Sequence, residues 1–235
     1  MRRRSTWALV LALSAAAASA STAAAATREC DGLKICVPVA GPWVVVPTSG
    51  TPRPRVEYQL DCPRGYIVGG LDAELSSPAV DVSFPGTLGS PVNPGITTSR
   101  SAVFAATYVG TARSGAVSVR PHIGCIPASG GAGRVPTAAS VFPPGHPVLR
   151  RVRTVRLRPG ATRVTQACAS GERLVGATHA LGFYTVGPPG GSLVAAVRTR
   201  QVVTGSRVSV SVQTGAAVTG VRAVVQVSVI CAGGR

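Results

Sequence analysis

Six cysteines divide these 235 residues into a short leading segment and two halves of similar plan. The same number of residues separates Cys62 from Cys125 as separates Cys168 from Cys231. Each bracket opens on related residues: Cys62-Pro63-Arg64-Gly65-Tyr66-Ile67-Val68-Gly69-Gly70 and Cys168-Ala169-Ser170-Gly171-Glu172-Arg173-Leu174-Val175-Gly176-Ala177. The two align with one residue inserted in the second. Each bracket closes on an alternating apolar run that ends in cysteine. This pattern reads as an internal duplication, and it predicts two tandem β units, each tied from first strand to last.

Residues 1–26 read as an export signal. Arg2-Arg3-Arg4 leads, an apolar stretch starts at Trp7, and Ala18-Ser19-Ala20 and Ala24-Ala25-Ala26 both offer small-residue cleavage sites. Cleavage leaves no transmembrane anchor. Outside a reducing cytoplasm an even set of thiols pairs, and six allow 15 connectivities. The repeat favours Cys62–Cys125 and Cys168–Cys231, which leaves Cys30–Cys36 as a small local loop. Zinc wants paired Cys-x-x-Cys knuckles or a histidine cluster, and the sequence has neither. No metal or cofactor is expected.

Val and Ala dominate the apolar residues, and aromatics make up 4% of the chain. Such a core suits β-branched side chains on pleated sheets, and the composition excludes a wholly disordered chain. The net charge of +16 is uneven. Between residues 27 and 125 basic and acidic residues nearly balance, whereas from Ile126 onward Glu172 is the single acidic residue among many arginines. Such asymmetry suits a face for anionic partners, although Arg-rich codon usage gives the same imbalance.

Along the chain, residues 27–42 read as a cap holding the small disulfide loop, 43–125 as the first β unit, 126–147 as a Pro/Gly/Ala-rich linker and 148–235 as the second unit. In the first unit, strands are expected over 43–46, 55–60, 66–71, 80–84, 102–109 and 117–125. Residues 117, 119 and 123 face inward there, and Pro121 implies an edge strand or a bulge. The second unit repeats the plan, with 155–157 standing where 44–46 did and 162–167 where 55–60 did. Further strands are expected at 174–175, 181–186, 193–199, 207–213 and 221–230. The spacing survives because a loop over 85–99 shrinks to 187–192 while the second half gains residues around 199–206. The class is all-β: two disulfide-stapled antiparallel sandwich-like units. The Cys-Pro-x-Gly-x-x-Val-Gly-Gly opening, closed by a strand ending in cysteine, resembles repeats of uncharacterised exported proteins of high-GC bacteria. The resemblance implies an extracellular β-sandwich and carries no catalytic residues over.

The sharpest candidate site is Arg151, Arg153, Arg156, Arg158 and Arg163. Arg151 and Arg153 share a strand face with Val155 and Leu157, and Arg156 and Arg158 fall on the other. A bulge near Thr154 would bring the first four together to grip phosphates of teichoic acid, nucleic acid or anionic lipid through bidentate guanidinium bonds. The plainer reading is a strand edge blunted by charge. No aromatic lies between Phe142 and Phe183 for base stacking, which argues against sequence-specific nucleic-acid reading. His122, His146 and His179 stand outside any hydrolase motif. Asp72 and Glu74 share a strand face near Asp81, which suits solvated turns better than calcium or glycoside chemistry. Trp43 sits on an apolar strand, as core does. These features together point to a secreted, non-catalytic binding or structural protein that meets an anionic envelope polymer or an unknown protein. The alternative is a secreted hydrolase with an unrecognised site.

Overall fold

The computed structural model describes residues 27–50, 52–85, 96–98, 100–111, 116–128 and 149–233. The export signal, most of the 85–99 loop and the bulk of the linker, with His146, lie outside the described residues. The strands are β1 (Val37–Ala40), β2 (Trp43–Val46), β3 (Val56–Asp61), β4 (Tyr66–Leu75), β5 (Val80–Ser83), β6 (Ile96–Thr98), β7 (Ser101–Tyr108) and β8 (Val117–Pro127). The second half follows with β9 (Leu149–Arg156), β10 (Gly160–Ala167), β11 (Glu172–Tyr184), a short helix α1 (Gly191–Ala195), β12 (Val197–Thr204), β13 (Arg207–Thr214) and β14 (Arg222–Gly233). Every pairing among them is antiparallel.

A seven-stranded sheet runs through the middle of the molecule. Its order is β4, β8, then β1 and β2 end to end, β11, β14 and β9. The two halves meet where β2 pairs with β11, Val44 opposite Gly182 and Trp43 opposite Phe183. Successive residues of a strand point to opposite faces. Val44 belongs to a core built with β3, β5 and β7, whereas Phe183 belongs to a core built with β10, β12 and β13. The four-stranded sheet of the first half therefore covers one face of the shared sheet, and the three-stranded sheet of the second half covers the opposite face. Gln226 on β14 ties the halves further. It takes the Gln59 N–H on Oε1 at 2.7 Å and donates to the Gln59 carbonyl at 3.0 Å.

The halves also pair in the same register. Val68 lies opposite Cys125 and Leu174 opposite Cys231, and each ladder slips once, between Val68 and Gly70 and between Leu174 and Gly176. Asp61 lies opposite Ser101 as Ala167 lies opposite Arg207. This correspondence needs no inserted residue in the opening motif. The apparent insertion came from matching Val68 to Val175, whereas Val175 occupies the bulge that Gly69 occupies in the first half. Gly65 and Gly171 then coincide, at φ of 83° and 81°, in turns closed by Tyr66 N–H to Pro63 and Glu172 N–H to Ala169. That is the third position of a type II turn, where a left-handed residue is required.

All three expected disulfides form, with Cα atoms 5.7, 5.8 and 5.6 Å apart for Cys30–Cys36, Cys62–Cys125 and Cys168–Cys231. Several local expectations change. The strand expected over 193–199 is α1 followed by β12, and the cap contains β1. The second half gains its extra residues between β11 and β12, not around 199–206. There β12 alone spans the length of β13 that β5 and β6 share along β7. Pro121 lies on a central strand, neither at an edge nor in a bulge. Its carbonyl accepts from Gly41 N–H at 2.8 Å, so its missing donor falls on the same side, at the break between β1 and β2.

Candidate functional site

The five candidate arginines do not form one stripe. β9 pairs with β14 without a bulge from Leu149 to Arg156, so parity holds and the side chains divide between the two faces. Arg151 is committed to Glu172, bonding both carboxylate oxygens, one of them at 2.8 Å. Those bonds, and then the Ala169 N–H, hold the Glu172 carboxyl below its ordinary range. Arg153 reaches the Thr165 carbonyl at the edge of the small sheet at 3.4 Å. Arg156 points to the other face, and Arg158 is exposed in the turn before β10. Arg163 lies apart from them, on β10.

Arg163 belongs to a different constellation. In the three-stranded sheet, Val164, Val208, Val210 and Val212 are buried against the central sheet. Residues of opposite parity therefore face outward. Arg163, Ser211 and Arg200 form one outward row, and Ala161, Gln213 and Arg198 the next. Between the rows the strands form the floor of a shallow depression of about 360 Å³. Arg207 extends the same face at the hairpin end. All four arginines are exposed, and β10, β12 and β13 contain no Asp or Glu to neutralise them. Neighbouring strands lie about 4.8 Å apart and residues i and i+2 about 6.7 Å apart. The Cα atoms of Arg163 and Arg200 are thus separated by about 10 Å across β13, and those of Arg198 and Arg200 by about 7 Å along β12. Such a cationic surface can bind several anionic groups of one ligand through guanidinium hydrogen bonds.

The other candidates are bound up in the structure. His179 spans two sheets, with Nδ1 2.8 Å from Gln201 Oε1 and Nε2 2.9 Å from Thr199 Oγ1. These contacts fasten β12 to β11. His122 is buried on β8, with Nε2 2.8 Å from Glu74 Oε1 and Nδ1 3.6 Å from Glu29 Oε1. Asp72 and Glu74 do share a face of β4: Asp72 accepts the Arg28 N–H at 2.7 Å, and Glu74 lies 3.6 Å from Arg120. Asp81 is on β5 in another sheet. Trp43 is 3% exposed, with the Arg120 guanidinium 6.0 Å from its ring centroid. Cys168, Glu172 and Cys231 cluster closely enough for a metal. Both sulfurs are in the disulfide, however, and the carboxylate holds Arg151.

Two sets of residues escaped the sequence reading. Arg198 and Arg200 carried a legible signal, an i, i+2 pair on a strand, hidden by the expectation of a strand register starting at Leu193. Glu29 carried none. Its backbone carbonyl rests on the shared sheet so closely that a Cβ on Gly70 or on Gly124 would lie 2.0 Å from it. The glycines of Gly69-Gly70 and Gly124-Cys125 thus include the window on which the cap sits. Among the described residues no helix is long and apolar enough to cross a membrane. No family model matches the chain, and no curated protein and no solved structure is significantly similar to it.

Proposed function

We propose that this is an exported, non-catalytic binding protein, and that the outward face of the β10–β13–β12 sheet grips an anionic polymer of the cell envelope. One observation carries the reading: Arg163, Arg198 and Arg200 surround a depression on a sheet with no carboxylate of its own. Ser211 and Gln213 line the depression between them with a hydroxyl and an amide, which suit phosphate or sulfate oxygens. Export is supported by the leading 26 residues and by three disulfides, which persist in oxidising compartments. The shared pairing register of the two halves supports their origin by internal duplication, with the basic face elaborated in the second copy alone. In the first copy the matching strands are β3, β5, β6 and β7, which carry Glu57, Asp61 and Asp81 and no arginine.

The test is retention of the oxidised mature protein on immobilised polyphosphate across a salt series. Each phosphate contact contributes about 0.7–0.9 to the slope of log affinity on log salt. Changing Arg163, Arg198 and Arg200 together to Ser should lower that slope by about 2–3. The same change at Arg156 and Arg158 should leave it within about 1 of the parent. An unchanged slope in the first variant refutes this face as the binding site.

A further inference from the structure

A second depression, of about 330 Å³, lies at the other end of the molecule, where Thr27 and Arg28 run past Trp43, Asp72 and Glu74. We propose that it is the seat of a new α-ammonium, created at Thr27 when the chain is cut after Ala26, so that processing completes the folded structure. The inference rests on the export reading above. Thr27 is held on both sides: its hydroxyl donates to Glu29 Oε1 at 3.2 Å, and the next peptide N–H, that of Arg28, donates to Asp72 Oδ2. The Glu29 side chain is only 4% exposed, and its Oε2 has no hydrogen-bond partner. A buried carboxylate oxygen without a donor is costly.

The charges around this point are Arg28 and Glu29 from the cap, Asp72 and Glu74 from β4, and Arg120 and His122 from β8. Arg120 and His122 both contact Glu74, and Glu29 keeps one free oxygen. A peptide nitrogen at Thr27 brings one donor and no charge, whereas a terminal ammonium brings three donors and a full charge. Water adds across the Ala26–Thr27 amide and the C–N bond breaks: the water oxygen completes the carboxylate of Ala26, and both water protons pass to the nitrogen, which becomes the ammonium. Of the two small-residue sites, only Ala24-Ala25-Ala26 creates that charge here. A cut after Ala20 leaves Ser21 as the terminus and a neutral amide at Thr27.

Two measurements test this. The intact mass of protein secreted by an exporting bacterial host is expected to begin at Thr27. A terminus elsewhere overturns the inference while leaving export intact, and an uncut cell-bound chain overturns export itself. Protein beginning at Thr27 is then compared with the same chain acetylated at its terminal amine. The acetylated form should melt roughly 2–6 °C lower. That gap should narrow in Glu29→Gln, which removes the buried charge that the ammonium would meet and remains comparable even if its own midpoint falls. Equal midpoints for the free and acetylated chains, or an undiminished gap in Glu29→Gln, refute the ammonium seat.

Discussion

Replacing Gly70 by Ala tests how the cap is held. A Cβ there would lie 2.0 Å from the Glu29 carbonyl oxygen and 2.9 Å from its carbon. Real contacts of this kind stay beyond about 3 Å, so the Glu29 backbone must retreat by roughly 1 Å. Two restraints oppose that retreat. The Arg28 N–H bond to Asp72, at 2.7 Å, has a charged acceptor and is worth about 1.5–3 kcal/mol. Forcing an extra methyl into packed structure costs about 1–3 kcal/mol. The alanine regains about 0.5–1 kcal/mol of chain entropy, and the cap can lift away, which limits the loss. The expected net cost is about 2–3 kcal/mol, or roughly 5–10 °C in melting midpoint. Gly176, the matching residue of the second half, is an internal control. A Cβ there meets only the flexible end of Ile230, at 3.2 Å, and no cap covers it. Gly176→Ala should therefore lie within about 0.5 kcal/mol of the parent, or slightly above it. Urea unfolding measures both, and trypsin cleavage after Arg28 and Lys34 should accelerate in Gly70→Ala alone. Equal stability of the two variants refutes the glycine window.

Three further outcomes are expected. Replacing either Cys62–Cys125 or Cys168–Cys231 by serines should cost about 4 kcal/mol in denaturant unfolding, because the loops are of equal length, whereas losing Cys30–Cys36 should cost about 2 kcal/mol. Gln226→Ala strands the Gln59 backbone groups that join the two halves. It should lower stability by about 2–3 kcal/mol, and calorimetry should still show one transition if the shared sheet couples the halves. Glu172 is held below its ordinary range by Arg151 and the Ala169 N–H, so the stability it contributes is complete above about pH 4.3 and is lost as pH falls through the lowered value. Glu172→Gln should flatten the stability–pH curve below that point, and an unchanged acid limb would refute the role given to the pair.

The sequence determined what local chemistry controls. Alternation over residues 117–125 and 221–230 makes strands whose odd residues Val119, Ile123, Val225 and Val227 are buried, while the shared sheet also buries Ser118, His122, Gln226 and Ser228 on the other parity. Cysteine spacing led to the right pairs, because each bracket begins and ends on strands that lie together. The Cys-x-x-Gly turns follow from glycine's access to positive φ. Tertiary structure decided the rest. Whether β2 would meet β11 depends on side chains far apart in the chain, and that single junction merges the halves and sends their cores to opposite faces. The arginine runs show the same limit. Parity told which of Arg151, Arg153, Arg156 and Arg158 share a face, but the pairing of β9 with β14 excluded the bulge that would have united them. Arg163 and Arg200 are distant in sequence, and they become neighbours only because each strand pairs with β13 at Ser211. Register between strands is fixed by packing over a whole sheet, which is why a sequence specifies its strands more openly than the surface those strands build together.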